Sequence, residues 1–298
     1  MTTTLDATPP RTLPSGHSGF VQLVRSEWTK LRSVRSTWIC LFLIFFLTVL
    51  FAWIFPATIA SHWATGKPAD RLNFDPVSTT QIGVIFSQLV VGVFGALAIT
   101  SEYSTGSMRT TLAAIPRRST LIAAKSFVVF ALVFVVSEIT AFVAFFVGSA
   151  VLKAYGGKEL PANSTLLDQL RSSHVPVASI SDHGVAIAIF RGGLYLALIA
   201  LIALGIGLLL RHSAGAISVI VGLVFVVPLL IQALPNSISK PIQPKLPSNL
   251  GAAMSSTRAR VTDFGGSLLH PWPAALLLAF YAAALLGLGV WSFVRRDA

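Results

Sequence analysis

The sequence predicts an all-α integral membrane protein with six transmembrane helices. Hydrophobic residues make up 54% of the 298-residue chain and charged residues only 11%, less than half the roughly 25% charge usual in soluble domains. The mean hydropathy is +0.77, and the apolar residues gather into unbroken runs instead of recurring at core-facing intervals. Strands of a membrane barrel would be shorter and would alternate apolar with polar residues; these runs do not alternate. A disordered chain, a disulfide scaffold and most soluble enzymes are excluded, and the single Cys40 has no partner for an intrachain bridge.

In chain order, residues 1–19 are rich in Thr, Pro, Ser and Gly and predict a disordered tail. No apolar stretch with a cleavage site follows a charged start, so a cleaved signal peptide is not expected. Residues 20–298 read as one six-helix domain. Its apolar segments cover about 38–60, 82–100, 121–152, 190–210, 216–234 and 272–294. Each is long enough to cross a hydrocarbon core of roughly 30 Å at about 1.5 Å per residue.

Six spans put both termini on one side. If that side is cytoplasmic, the inner segments hold twelve of the 22 Lys and Arg residues, a count that barely discriminates. Position is more informative. The Arg25–Arg35 cluster abuts the first span, and the outer loops carry the acids Asp70, Asp75, Glu159, Asp168, Asp182 and Asp263. The positive-inside rule then places the N- and C-termini in the cytoplasm. The same rule accounts for the net charge of +11, so nucleic-acid binding is not expected. Asn163-Ser164-Thr165 is formally a glycosylation sequon, read as a chance match.

Catalytic signatures are missing. There is no phosphate-binding G-x-x-x-x-G-K-[ST], no H-E-x-x-H, no G-x-S-x-G and no paired-cysteine metal spacing. The six histidines are dispersed, so no metal, cofactor or catalytic residue is assigned.

Two segments outside the spans carry information. From Gly19 to Trp38, Phe20, Val21, Val24, Trp28, Leu31, Val34 and Trp38 share one helical arc, interrupted by Glu27 and Arg35. Lys30 and Arg32 lie opposite. A basic amphipathic helix with Trp on its apolar face belongs in the membrane interface; a plain extension of the first span is the alternative. From Ser101 to Lys125, Met108, Leu112 and Ile115 mark a short helix with one apolar face, stopped at Pro116. It reads either as an element that passes force between two spans or as an ordinary basic loop.

At these segments the chain resembles actinobacterial permeases of the type-2 class of ABC exporters. The resemblance rests on Glu27-Trp28-Thr29-Lys30-Leu31-Arg32-Ser33, Glu102-Tyr103, Gly106, Arg109, Thr111-Leu112, Pro116-Arg117-Arg118 and Lys125. It continues through Leu210-Arg211-His212-Ser213-Ala214-Gly215-Ala216, Leu246-Pro247-Ser248 and Arg295-Arg296-Asp297-Ala298. It implies a permease that moves a small hydrophobic or amphipathic molecule out of the cell. A second permease copy and separate cytoplasmic ATPase subunits, which carry the ATP and Mg, would be its partners. An interface helix would contain Glu27, Trp28, Lys30, Arg32 and Arg35. A coupling helix over Glu102–Ile115 would seat on the ATPase, with Glu102, Tyr103, Gly106, Met108, Arg109, Leu112, Arg117 and Arg118 in its contact. Two short re-entrant helices between spans five and six would agree with Pro235, Pro241, Pro244 and Pro247, which bar one continuous helix there. A secondary transporter or channel, or a sensory or immunity protein on the same scaffold, are the rival readings.

Glu138 lies well inside the third span, where a carboxylate is costly and faces a partner or a cavity. Arg191, Ser137, a backbone group or cargo are its candidate partners. Small residues at Gly92, Gly95 and Ala96, at Gly205 and Gly207, and at Gly287 and Gly289 predict close helix contacts within the chain.

Overall fold

The computed structural model describes residues 19–66, 71, 74–108, 111, 118–159, 174–257 and 268–296. The expected tail, the Asn163 sequon, Arg109, Leu112 and Arg117 lie outside them.

Among the described residues, six helices are long and apolar enough to cross a membrane. Helix α1 (Phe20–Ser33) precedes the first span, α2 (Arg35–Ser61). A short helix α3 (Pro76–Thr80) leads into the second span, α4 (Val84–Ser104). The third and fourth spans are α5 (Arg118–Ala154) and α6 (Val185–Leu210). The fifth, α7 (Ser213–Gln232), contains a π-helical turn at Gly222–Val226. Pro228 follows within the helix; it has no N–H to give the carbonyl four residues back, which loosens the ladder there. Two short helices, α8 (Asn236–Ile242) and α9 (Pro247–Met254), come before the last span, α10 (Pro271–Arg296).

The fourth span is the hub. Helices α4, α5, α7 and α10 all pack on α6, and 78% of its most apolar stretch is buried, against 17% for α7. Small residues make this possible. A Cβ at Gly95 on α4 would stand 2.4 Å from the Ala200 carbonyl of α6, and one at Gly205 would meet the α10 backbone at Leu285 at 2.7 Å. These glycines therefore serve contacts within the chain, as expected; Gly287 faces open space.

The proline-rich segment between the fifth and sixth spans breaks into pieces, as expected from its sequence. Pro247 opens α9, whose Leu250, Ala253 and Met254 are fully buried in the main core. This helix leans on α6 and α10, and Gly251 admits the Tyr195 ring. The Tyr195 hydroxyl donates to Gln88 Oε1 on α4.

Candidate functional site: a buried charge cluster where three helices meet

The amphipathic segment is two helices rather than one. Val34 is extended (φ −89°, ψ 123°) and ends α1; the Trp38 indole N–H donates to the Arg32 carbonyl at 3.0 Å and ties the elbow. Arg35, expected on the interface helix, is instead the first residue of the span helix α2. Trp28 and Arg32 are exposed on α1, together with Phe20 and Val21.

Glu27 had broken the apolar arc of α1, and the fold supplies the reason. Its side chain turns inward, 1% exposed, onto the first turns of α5. There Lys125, 2% exposed, places Nζ 2.5 Å from Glu27 Oε2 and 2.8 Å from Glu102 Oε1 on the last turn of α4. Lys30, one turn along α1, donates to Glu27 Oε1 at 2.7 Å and to Glu102 Oε1 at 3.3 Å. Two carboxylates and two ammoniums thus join three helices that are distant in sequence.

Electrostatics follows this geometry. Burial alone would push the Glu27 carboxyl up, but the Lys125 and Lys30 ammoniums outweigh it and hold the carboxyl below its ordinary value. For Lys30 burial acts downward; Glu27 and Glu102 outweigh it and raise the ammonium above its ordinary value. Removing a buried member of such a set strands a buried charge.

The expected coupling segment is differently divided. Glu102 and Tyr103 do not belong to a separate helix but to the end of α4, which runs to Ser104. The chain then turns at Gly106, whose φ of +72° is open to glycine at little cost. A new helical turn begins at Ser107, where Thr111 Oγ1 donates to the Ser107 carbonyl at 2.9 Å. Met108 is buried in the main core. The Arg211 guanidinium lies 5.6 Å from the Tyr103 ring centroid, which brings the α6–α7 turn to the same end of the bundle. Arg118 opens α5, with Nη1 buried and unpaired.

Glu138 and Arg191 are not brought together. The Arg191 guanidinium donates to the Ser256 carbonyl at 3.2 Å and lies over the Trp272 ring. Both Glu138 carboxyl oxygens are buried with no hydrogen-bond partner, and so is Ser137 Oγ. The carboxyl sits against Gly193, where a Cβ would lie 2.5 Å from it.

The sequence reading missed two groups. Lys125 entered the sequence reading only among the residues that carry the family resemblance, with no role. Its position about two turns into α5, with acids at the ends of two neighbouring segments, was the available signal. At the far end of the bundle Asp75, fully buried, caps α3 through Val77 N–H at 3.0 Å and Ser78 N–H at 3.4 Å. It also accepts from Thr257 N–H at 2.8 Å and Thr257 Oγ1 at 3.0 Å. With Arg191 on Ser256, these bonds clasp the segment after α9 to the rest of the far end.

A family model described as ABC-2 family transporter protein matches residues 23–229, which includes the charge cluster and the first five spans. The chain belongs to the ABC-2 transporter family. It is a multi-pass membrane protein of a family that serves in transport across membranes. No curated protein matches the sequence.

Proposed function

We propose that this ABC-2 family member is the permease subunit of an ATP-driven exporter. It carries a small hydrophobic or amphipathic molecule out of a bacterial cell, with both termini in the cytoplasm. A separate ATPase subunit, which holds the ATP and Mg, docks on α1 and on the segment that follows α4, and a second permease copy completes the assembly.

One observation carries this reading beyond the family match. The helix α1 lies outside the bundle, yet its Glu27 and Lys30 are bonded to the end of α4 and, through Lys125, to the start of α5. A push on α1 or on the turn after Ser104 is therefore delivered to two spans at once, which a loosely tethered loop could not do. A bistable bundle needs such a rigid connection to respond to a partner's motion.

The test is purification of the chain together with the ATPase expressed beside it, followed by hydrolysis measurements in proteoliposomes. Stable copurification, and hydrolysis that falls when Arg109 or Arg118 is replaced by Ala, is the expected result. Failure to copurify any ATPase, with those substitutions silent, would sink the coupling role.

A further inference from the structure

Beside the charge cluster lies a cavity of about 520 Å³, between the α1–α2 elbow and the last turns of α4. That volume falls in the range of about 300–1,000 Å³ usual for small-molecule sites. We propose that it binds a neutral amphiphile, held by a hydrogen-bond-donating head (a hydroxyl or an amide N–H) on a hydrocarbon body. This gives the proposed permease a substrate class, and only the transport arm of the test below rests on that reading.

The walls set the body. Leu31, Val34, Cys40, Phe94, Leu97 and Ala98 line the cavity, so an apolar chain replaces water at no polar cost. The polar end sets the head: three of its hydroxyls present only acceptors, beside the hydroxyls of Ser36, Thr37 and Ser107 and the engaged ammoniums of Lys30 and Lys125. Ser33 Oγ already donates to the Lys30 carbonyl, Ser101 Oγ to the Leu97 carbonyl and Thr105 Oγ1 to the Ser101 carbonyl. Each hydroxyl has thus used its one hydrogen and keeps lone pairs. Glu102 also lines the cavity, and its Oε2 is buried with no hydrogen-bond partner among the described residues.

Charge decides between kinds of donor. The two carboxylates are matched by Lys125 and Lys30, whose ammoniums are already engaged on them. An added ammonium would leave one positive charge uncompensated in a mostly buried place. An added carboxylate or phosphate would meet the open oxygen of Glu102. A neutral donor satisfies that oxygen and leaves the balance intact.

The experiment uses the purified full chain in proteoliposomes and three photoreactive alkyl diazirines of the same tail, ending in an alcohol, an amine or a carboxylate. Labelled peptides are mapped by mass spectrometry. The alcohol is expected to label the stretches around Cys40 and Phe94–Ala98 saturably. Ala98→Phe, which fills the cavity, should lower that labelling about tenfold and leave labelling at the exposed Trp291 unchanged. Ser101→Phe plugs the same cavity from an exposed position and should do likewise if Ala98→Phe does not fold. Stronger labelling by the amine or the carboxylate overturns the proposal, as does labelling that neither variant reduces.

With the ATPase partner added, ATP-driven movement of the alcohol that falls in both variants identifies the ligand as cargo. Movement that persists identifies it as a neutral lipid resident in the site. Intact labelling with no transport under any condition keeps the cavity site and overturns the permease reading instead.

Discussion

The two ends of the bundle are held by different chemistry. At the α1 end, four full charges on three helices are bonded only to one another, and the Glu27–Lys125 contact is closed to water. At the far end, one carboxylate, Asp75, takes most of its bonds from backbone N–H groups, and Arg191 gives to a backbone carbonyl. Backbone partners stay in place when a side chain changes; side-chain partners do not. The buried members of the first arrangement, Glu27, Glu102 and Lys125, therefore hold or fail together, while the second loosens by single bonds. A helix outside the bundle that must move with two spans needs the first kind of link. A segment that closes the far end is served by the second.

The largest break in this comparison comes from Lys125→Ala. It leaves Glu27 buried with Lys30 alone, and stranding a buried charge costs about 3–5 kcal/mol. A fall of that size in unfolding free energy, measured in detergent with denaturant, is expected, and Glu27→Ala should not add its full cost on top, because both act on one set. Independent, additive losses would show that the four residues are not a unit. Acid probes the same link. The Glu27 carboxyl titrates below its ordinary value when folded, so its contribution is complete above the ordinary carboxylate range and fades only as pH falls through the lowered value. Lys30 is raised, so its share persists up to the ordinary lysine range and fades above it. Stability from the cluster should be flat from about pH 5 to 9 and drop on the acid side, and Lys125→Ala should abolish the drop assigned to Glu27.

Asp75→Ala comes next. It removes the cap of α3 and both bonds from Thr257, a loss of about 2–3 kcal/mol. Asp75→Asn keeps an acceptor for the cap and should recover about half. Hydrogen exchange reads the difference in place: amides of α3 and of residues 255–257 should lose protection, and those of α1 should not. Loss of protection at α1 would mean that the two ends are coupled through the bundle, and the comparison would then need one network rather than two.

The spans were legible because burial in lipid writes itself as long apolar runs, and each run needs no partner to be seen. The breaks in the proline-rich segment were equally plain, since proline acts locally. Contacts between elements were less so. Glu27 looked like a flaw in an apolar arc and is the residue that anchors α1. The Val34 break is set by one residue's backbone and left no periodic trace, so Arg35 was placed on the wrong helix. Arg191 was one of several candidate partners for Glu138, but the fold brings the Ser256 carbonyl and the Trp272 ring to the guanidinium first. Lys125 required three segments to be superposed, and the family resemblance named it without a role.

The smallest effect tests the boundary between unit and surface. Lys30 shares both carboxylates with Lys125, but its side chain is 40% exposed where that of Lys125 is 3% exposed. Water and salt reach the first ammonium and not the second. Exposed pairs contribute about 0–1 kcal/mol, so Lys30→Ala should cost no more than that in the same denaturant assay, and raising the salt should erase it. Lys125→Ala should keep its full cost at high salt. If Lys30→Ala proves as damaging as Lys125→Ala and as indifferent to salt, the outer ammonium is part of the anchor, and the cluster must be closed to water from both sides when α1 is seated.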